Sequence, residues 1–330
     1  MSKLRWGILS TSNFARNKML PALQACEYAV VTAVSSRNLD KARALADQFG
    51  IARAYGSYDE LIADPELDVI YNPLPNHLHV PWSVKAIEAG KNVLCEKPAA
   101  MTAAEAQLLL GAASRSPRLK VMEAFMYRFH PQWQHTKRAI RSGQIGELRA
   151  VDSMFAYFNS DGDNIRNQPA AGGGGLMDIG CYNISLSRFL FEREPKQVIA
   201  SAEFDPKFKT DRRVSGILDF GSGTATFTCS TQMVSFQHVT VLGTDGRIEL
   251  EIPFNAPANE SVRIWHQQGG RTDEIRFEPC DQYKIQADQF SLAILNDTPV
   301  PTPLSDAVAN MRVLDAIRAS CQKGTWISVI

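Results

Sequence analysis

A lysine at the end of a short apolar run is the residue of this chain best placed to do chemistry. In Val93-Leu94-Cys95-Glu96-Lys97-Pro98 a β-rich run stops at a charged pair, and the proline restricts the backbone before it. Ligands of open α/β sheets bind at strand tips, so Glu96 and Lys97 are candidate site residues; the alternative is a solvated lysine in an ordinary strand-to-helix loop. A second cluster suits phosphate. Gly7-Ile8-Leu9-Ser10-Thr11-Ser12-Asn13-Phe14-Ala15 occupies the place of a glycine-rich dinucleotide loop, with Ser10 and Ser12 at the first two glycine positions of G-x-G-x-x-G/A and Ala15 at the third. The amides and hydroxyls of Ser10, Thr11, Ser12, Asn13, Phe14 and Ala15 would face a pyrophosphate at a helix N-terminus. Serine does not readily take positive φ, so this loop is expected to differ from the glycine form; a plain serine N-cap is the competing reading. Ser36 lies 21 residues beyond Ala15, where an acidic residue would hold the ribose of NAD. Here a hydroxyl, the Arg37 guanidinium and Lys41 stand instead, a set suited to a 2′-phosphate, which predicts NADP over NAD. A solvated arginine beside an Asn38 N-cap is the alternative.

These residues need a scaffold to bring them together, and the hydrophobic pattern supplies one. Apolar runs at 5–9, 29–35, 68–72, 92–95 and 120–123 alternate with helical periodicity at 17–26, 39–50, 58–63, 81–90 and 103–114, the rhythm of a parallel sheet covered by helices. Gly50 and Gly90 fall just past their helices, where a left-handed cap favours glycine. From about residue 147 the rhythm changes to successive strands, at 148–158, 197–204, 214–220, 224–232, 238–242, 247–252, 262–267 and 274–278, with Asp245-Gly246 as a hairpin turn. Helices at 284–296 and 305–323 close the chain. The expected fold is α/β plus α+β: a Rossmann doubly wound parallel sheet over residues 1–122, then a mostly antiparallel open-sheet domain over 123–330 for substrate and oligomerisation, with a C-terminal helix packing back on the first domain. A length of 330 residues fits two domains.

Lys plus Arg equals Asp plus Glu at 35 each, which argues against general attraction to nucleic acid or membrane; any anion site must be local. The six cysteines show no Cys-x-x-Cys spacing and read as reduced thiols of a cytoplasmic protein. No signal-type or bilayer-spanning run is present in the sequence. His77 and His79 diverge on a helix and have no acidic or cysteine partner at metal spacing, so no metal is expected.

With the first loop, Asp68-Val69-Ile70-Tyr71-Asn72-Pro73-Leu74-Pro75-Asn76-His77-Leu78-His79, the Glu96-Lys97-Pro98 tip and Gly175-Leu176-Met177-Asp178-Ile179-Gly180-Cys181-Tyr182, the chain resembles the Gfo/Idh/MocA oxidoreductase family over essentially its full length. Met122-Glu123-Ala124-Phe125-Met126-Tyr127-Arg128-Phe129-His130-Pro131 narrows the resemblance to the branch of NADP-dependent xylose dehydrogenases, dimeric dihydrodiol dehydrogenases and aldose oxidoreductases. The resemblance implies that Lys97 and Tyr182 flank the nicotinamide and the reacting carbon with Asp178 nearby, that Lys97-Pro98 is cis, and that the protein is a homodimer or homotetramer. Many members have histidine where Tyr182 stands. A phenol near pKa 10 needs a cation to act as base near neutral pH, and Lys97 would supply it. Asp178 and Tyr182, four apart, share a helix face, so Asp178 would orient substrate hydroxyls or Lys97; otherwise it is a carboxylate at a helix N-terminus. Pro73 and Pro75 force an extended turn that would carry Asn72, Pro73, Leu74, Asn76 and His77 past the nicotinamide ribose, with turn formation and capping as alternatives for Asn76 and His77. Arg128 is either a cofactor or substrate contact or half of an interdomain salt bridge. Gly172 to Gly175 is an adaptable loop beside the substrate or a flexible connector, and Phe155, Phe158 and Trp265 are candidates for an apolar wall. The expected function is hydride transfer between NADP(H) and a sugar or cyclic diol. A retained-cofactor aldose–aldose oxidoreductase and a non-catalytic dinucleotide-binding regulator are the alternatives.

Overall fold

A computed structural model describes residues 3–329, and all counts below refer to those residues. They form two compact units: residues up to Met126 together with Asp281–Val308, and Tyr127–Cys280 together with residues from Ala309 on.

The first unit is built on six parallel strands, β1 (Leu4–Leu9), β2 (Ala29–Ser35), β3 (Arg53–Tyr55), β4 (Val69–Asn72), β5 (Asn92–Cys95) and β6 (Val121–Glu123), in the spatial order β3-β2-β1-β4-β5-β6. This is the doubly wound order, and its reversal between β1 and β4 opens a crevice at the carboxyl ends of those two strands. Local chemistry places the helices between them. Asn38 caps Leu39–Phe49 by accepting from the Lys41 N–H, and Gly50 ends that helix in the left-handed region at φ +64°. Ser57 and Thr102 cap Tyr58–Ala63 and Ala103–Arg115 in the same way. Gly7 in β1 is closely packed: a Cβ there would lie 2.6 Å from Leu67 Cδ1 and 2.9 Å from Leu61 Cδ2, and those side chains would have to shift. The helix Gln282–Leu295 belongs to this unit: Phe290 packs edge-on against Trp6 at 6.0 Å, and the Asp288 carboxylate accepts the N–H groups of Glu27 and Tyr28 at 3.0 and 3.1 Å.

The second unit carries nine strands, β7 (Leu148–Phe158), β8 (Gln197–Phe204), β9 (Asp211–Asp219), β10 (Thr224–Ser230), β11 (Gln232–Gly243), β12 (Gly246–Leu250), β13 (Val262–Gln268), β14 (Arg271–Phe277) and β15 (Ile327–Ser328). Their order is β14-β13-β12-β11-β7-β10-β9-β8-β15, antiparallel except for the parallel pair β7 and β10. Alternation is clear in β7, where Val151, Ser153 and Phe155 are buried while Arg149 and Asp152 are exposed. The buried face packs against the helix Cys181–Phe191, which is buried at ten of its eleven positions. The hairpin expected at Asp245-Gly246 forms one residue earlier: Thr244 and Asp245 make the loop and Gly246 already pairs with Gln268.

Candidate active site

In the first unit the functional candidates gather on the carboxyl ends of neighbouring strands. The loop after β1 departs from its sequence expectation. Ser10 takes φ +94°, so a serine adopts the conformation that the glycine form of the loop uses. Its own hydrogen bonds explain the tolerance: the Ser10 N–H donates to the Ser35 carbonyl at 2.9 Å, and its hydroxyl accepts the Ser12 N–H at 3.1 Å. The Ser12 hydroxyl in turn accepts the Ala15 N–H at 3.2 Å, which starts the helical segment. Thr11, Asn13 and Phe14 follow the same turn, and the Phe14 ring meets Tyr283 edge-on at 5.8 Å.

At the tip of β2, Ser36 is buried and its hydroxyl accepts the Asn38 N–H at 3.2 Å, while Arg37 and Lys41 are exposed. The Arg37 guanidinium bears on the Tyr58 hydroxyl, opposing the upward push that burial gives this phenol. After β4, Asn72 is fully buried; its amide donates to the His79 carbonyl and to Ser83 Oγ, both at 3.0 Å, and accepts the Leu74 N–H at 3.3 Å. Asn72 thus shapes the turn through Pro73 and Leu74, which presents a half-buried Asn76 and an exposed His77.

The tip of β5 is held by Glu96 and Glu123 and by two tyrosines whose part sequence reasoning missed. The Lys97-Pro98 peptide is cis, as the family resemblance implies. Glu96 accepts from the Tyr71 hydroxyl at 2.7 Å, and Glu123, at the end of β6, accepts the Ala99 N–H at 2.7 Å. Burial and Glu96 hold the Tyr71 phenol far above its ordinary range, and burial followed by Glu96 does the same to Tyr283. Tyr71 and Tyr283 have no local signature; a tyrosine in a strand and another early in a helix read as packing.

In the second unit, Asp178 and Tyr182 lie on one continuous helical segment, a π-helical turn at Leu176–Gly180 running into Cys181–Phe191. Such turns recur at functional sites. Asp211 anchors its start by accepting the Leu176 N–H at 2.6 Å, and burial raises that carboxyl to about 6. Gly174, at φ +115°, leaves room for Asp211 where a side chain would collide with it. Asp178 accepts the Tyr157 hydroxyl at 2.6 Å and pairs with Arg166 Nε at 2.9 Å. Burial and Asp178 push the Tyr157 phenol up, and Asp178 and Tyr182 both favour the charged Arg166. Tyr157 and Arg166 escape sequence reading because one sits in a strand and the other in a three-residue 3-10 turn, Ile165–Asn167, and only folding brings them to Asp178.

Tyr182 is 5% exposed. Its ring lies 5.5 Å from Phe254, 5.7 Å from Phe155 and 5.8 Å from Tyr127, with Phe155 stacked on Phe254 at 4.8 Å. Of the three aromatics expected to share an apolar wall, only Phe155 joins this cluster. Phe158 points to the other face of β7, where it is 65% exposed, and Trp265 in β13 lies under the Arg263 guanidinium. The strand period of two separates them. Arg128 is buried and donates to Ser185 Oγ at 2.7 Å. Among the described residues no group of three or more His, Cys, Asp or Glu could hold a metal ion, and no helix is long and apolar enough to cross a membrane.

The chain is similar to known proteins along most of its length. Residues 4–125 match the family model of the oxidoreductase family with an NAD-binding Rossmann fold, and residues 133–249 match the GFO/IDH/MocA C-terminal domain. An uncharacterised oxidoreductase of Rhizobium meliloti is 42% identical over the whole of both chains. The NADP(+)-dependent D-xylose 1-dehydrogenase 2 of Haloferax volcanii is 35% identical over 99% of this chain and 100% of its own. Among solved structures, the aldose-aldose oxidoreductase of Caulobacter crescentus, complexed with glycerol, superposes with a TM-score of 0.92 at 27% identity, covering 99% of each chain. With a doubly wound dinucleotide-type sheet, a mixed second sheet and full-length relatives, the chain belongs to the Gfo/Idh/MocA oxidoreductase family.

Proposed function

We propose that this protein is an NADP(H)-dependent oxidoreductase that transfers hydride between nicotinamide and a CH–OH group of an aldose or cyclic diol, with Tyr182 as acid/base. The observation that carries the reading is a buried phenol one helical turn from an ion pair: Tyr182 follows Asp178, which Arg166 holds at 2.9 Å. When bound, the nicotinamide supplies the hydride acceptor or donor. Everything else falls to the chain. Loss of hydride from an alcohol carbon requires removal of the hydroxyl proton, and the charges of Arg166 and Lys97 favour the phenolate that takes it. In the reverse direction Tyr182 returns the proton. Asp178, steadied by Tyr157, orients a substrate hydroxyl.

The residues of the first unit fit a dinucleotide. Ser10 in the glycine conformation turns the loop after β1 toward the crevice, and residues Thr11 to Ala15 present its amides to the pyrophosphate. Ser36, Arg37 and Lys41 hold the 2′-phosphate, and Pro73, Leu74, Asn76, His77 and Glu96 line the ribose and nicotinamide. Domain limits of 1–122 and 123–330, with a C-terminal helix packed back on the first domain, belong to the same reading, and Arg128 is a cofactor or substrate contact in it. Wild-type protein is expected to favour NADP over NAD, and Arg37→Ala to lower kcat/KM for NADP by roughly 10- to 100-fold while leaving NAD nearly unchanged. Equal losses with both nucleotides would reject the assignment. NADPH formation from a panel of aldoses and cyclic diols identifies the substrate.

A second reading, a retained nucleotide that oxidises one aldose and reduces another, draws support from the likeness to the Caulobacter aldose-aldose oxidoreductase. Nucleotide released on denaturing the purified protein, with no exchange in the native state, would favour it. Exposed Phe158, Val234 and Phe236 on the second sheet support assembly as a homodimer or homotetramer, which light scattering measures directly.

A further inference from the structure

We propose that His79 is a positioning residue for the catalytic lysine: its imidazole is the crosspiece that ties the turn after β4 to the tip of β5 and so fixes Lys97. The inference rests on the reading of Lys97 as catalytic. The ring is 1% exposed. Nε2 lies 2.6 Å from the carbonyl oxygen of Leu74, and Nδ1 lies 2.7 Å from that of Pro98, the residue bonded to Lys97. These carbonyls belong to loops that leave neighbouring strands of the parallel sheet, and the backbone of His79 is itself pinned by the Asn72 amide at 3.0 Å.

Loops at strand tips have left the ladder, so their carbonyls need donors from elsewhere. A single imidazole here stands between two of them. Burial outweighs the opposing pull of the Pro98 and Leu74 carbonyls and, with a smaller push from the Lys97 charge, holds the ring down to about 4, so near neutral pH it is uncharged and carries one N–H. That N–H serves either carbonyl according to the tautomer, and the ring packs between both loops in either case. An aliphatic side chain would fill the space and remove the one N–H that the two carbonyls share between tautomers. A glutamine would restore a donor nitrogen bearing two N–H groups.

The test is a double-mutant cycle on the full-length protein. His79→Leu is expected to lower kcat by roughly a hundredfold, as a misplaced catalytic group does, and His79→Gln to recover most of it. In a Lys97→Ala background, His79→Leu is expected to change the remaining rate and the NADPH dissociation constant less than about twofold, since the group it positions is gone. A loss that is the same in both backgrounds would assign His79 to fold stability alone and overturn the proposal, as would wild-type turnover in His79→Leu. If His79→Leu does not fold, the same cycle read with His79→Met, a flexible side chain of similar volume with no N–H, decides. Full turnover in Lys97→Ala would overturn the reading of Lys97 and this inference with it, whereas a dead Lys97→Ala beside an active His79→Leu overturns the inference alone.

Discussion

The tip of β5 and the helix that carries Tyr182 solve the same problem, holding one candidate side chain still, by opposite means. Around Lys97 the work is done by buried polar groups: Glu96 with the Tyr71 hydroxyl, Glu123 with the Ala99 N–H, and His79 between two carbonyls. Around Tyr182 it is done by rings, Phe155, Phe254 and Tyr127, together with the Asp211 carboxylate at the start of the helix. The backbone state explains the difference. A loop leaving a parallel strand has unsatisfied amides and carbonyls that must be met by side chains, whereas a helix satisfies its own interior and leaves only its rotation and its first turn to be set.

The sharpest break of this comparison separates chemistry from packing in the ring cluster. Tyr182→Phe keeps the ring contacts and removes the proton, so kcat should fall by about 10²- to 10⁴-fold with the melting temperature nearly unchanged. A parallel loss of stability would mean that the hydroxyl is structural. Phe254→Ala does the reverse. Phe254 is fully buried at the centre of the cluster, and its removal is expected to cost about 3 to 5 kcal/mol in denaturant titrations. A cost below about 1 kcal/mol would show that the rings do not hold the helix.

Acid titration compares the two regions next. Burial holds His79 of the first unit and His130 of the second down to about 4. The unfolded chain binds these protons near pH 6.5, so stability should be complete above that value and fall as pH drops toward about 4, by on the order of 3 kcal/mol per histidine. Asp211 acts in the opposite sense. Its folded carboxyl, raised to about 6, takes a proton before the unfolded one does, so its contribution to stability falls as pH rises through the window from about 4 to 6. Asp211→Asn should therefore steepen the acid loss, and His79→Gln should flatten it; unchanged urea midpoints between pH 4 and pH 7 would contradict both. The smallest effect is expected from Tyr71→Phe, which removes the phenol's hydrogen bond to the Glu96 carboxylate and should cost about 1 to 3 kcal/mol, with a modest loss of turnover.

Much of the scaffold was legible because its signals are local. The strands at β2 and β5, the caps at Asn38 and Gly50 and the doubly wound rhythm follow from apolar runs and capping chemistry that neighbouring residues express. What escaped was less patterned. β3 is only Arg53-Ala54-Tyr55, too short to alternate, and the amphipathic helix Pro131–Arg141 is absent from the sequence expectation although Pro131 in its first turn is a start signal. β11 is twelve residues long because its polar positions face outward on an open sheet, where hydrophobicity no longer marks a strand.

Residue type alone determined that a lysine stands at a strand tip, that a carboxylate and a phenol share a helix, and that a guanidinium replaces the acidic residue expected after β2. Only the tertiary structure decided what surrounds them. That Ser10 can hold positive φ depends on the Ser35 carbonyl; that Asp178 is paired depends on Tyr157 in a strand and Arg166 in a 3-10 turn; that His79 stands between two loops depends on the register of β4 against β5. Hydrogen-bond partners distant in sequence leave no periodic trace along the chain, because it is the fold's packing, and not the spacing of residues, that brings them within 3 Å.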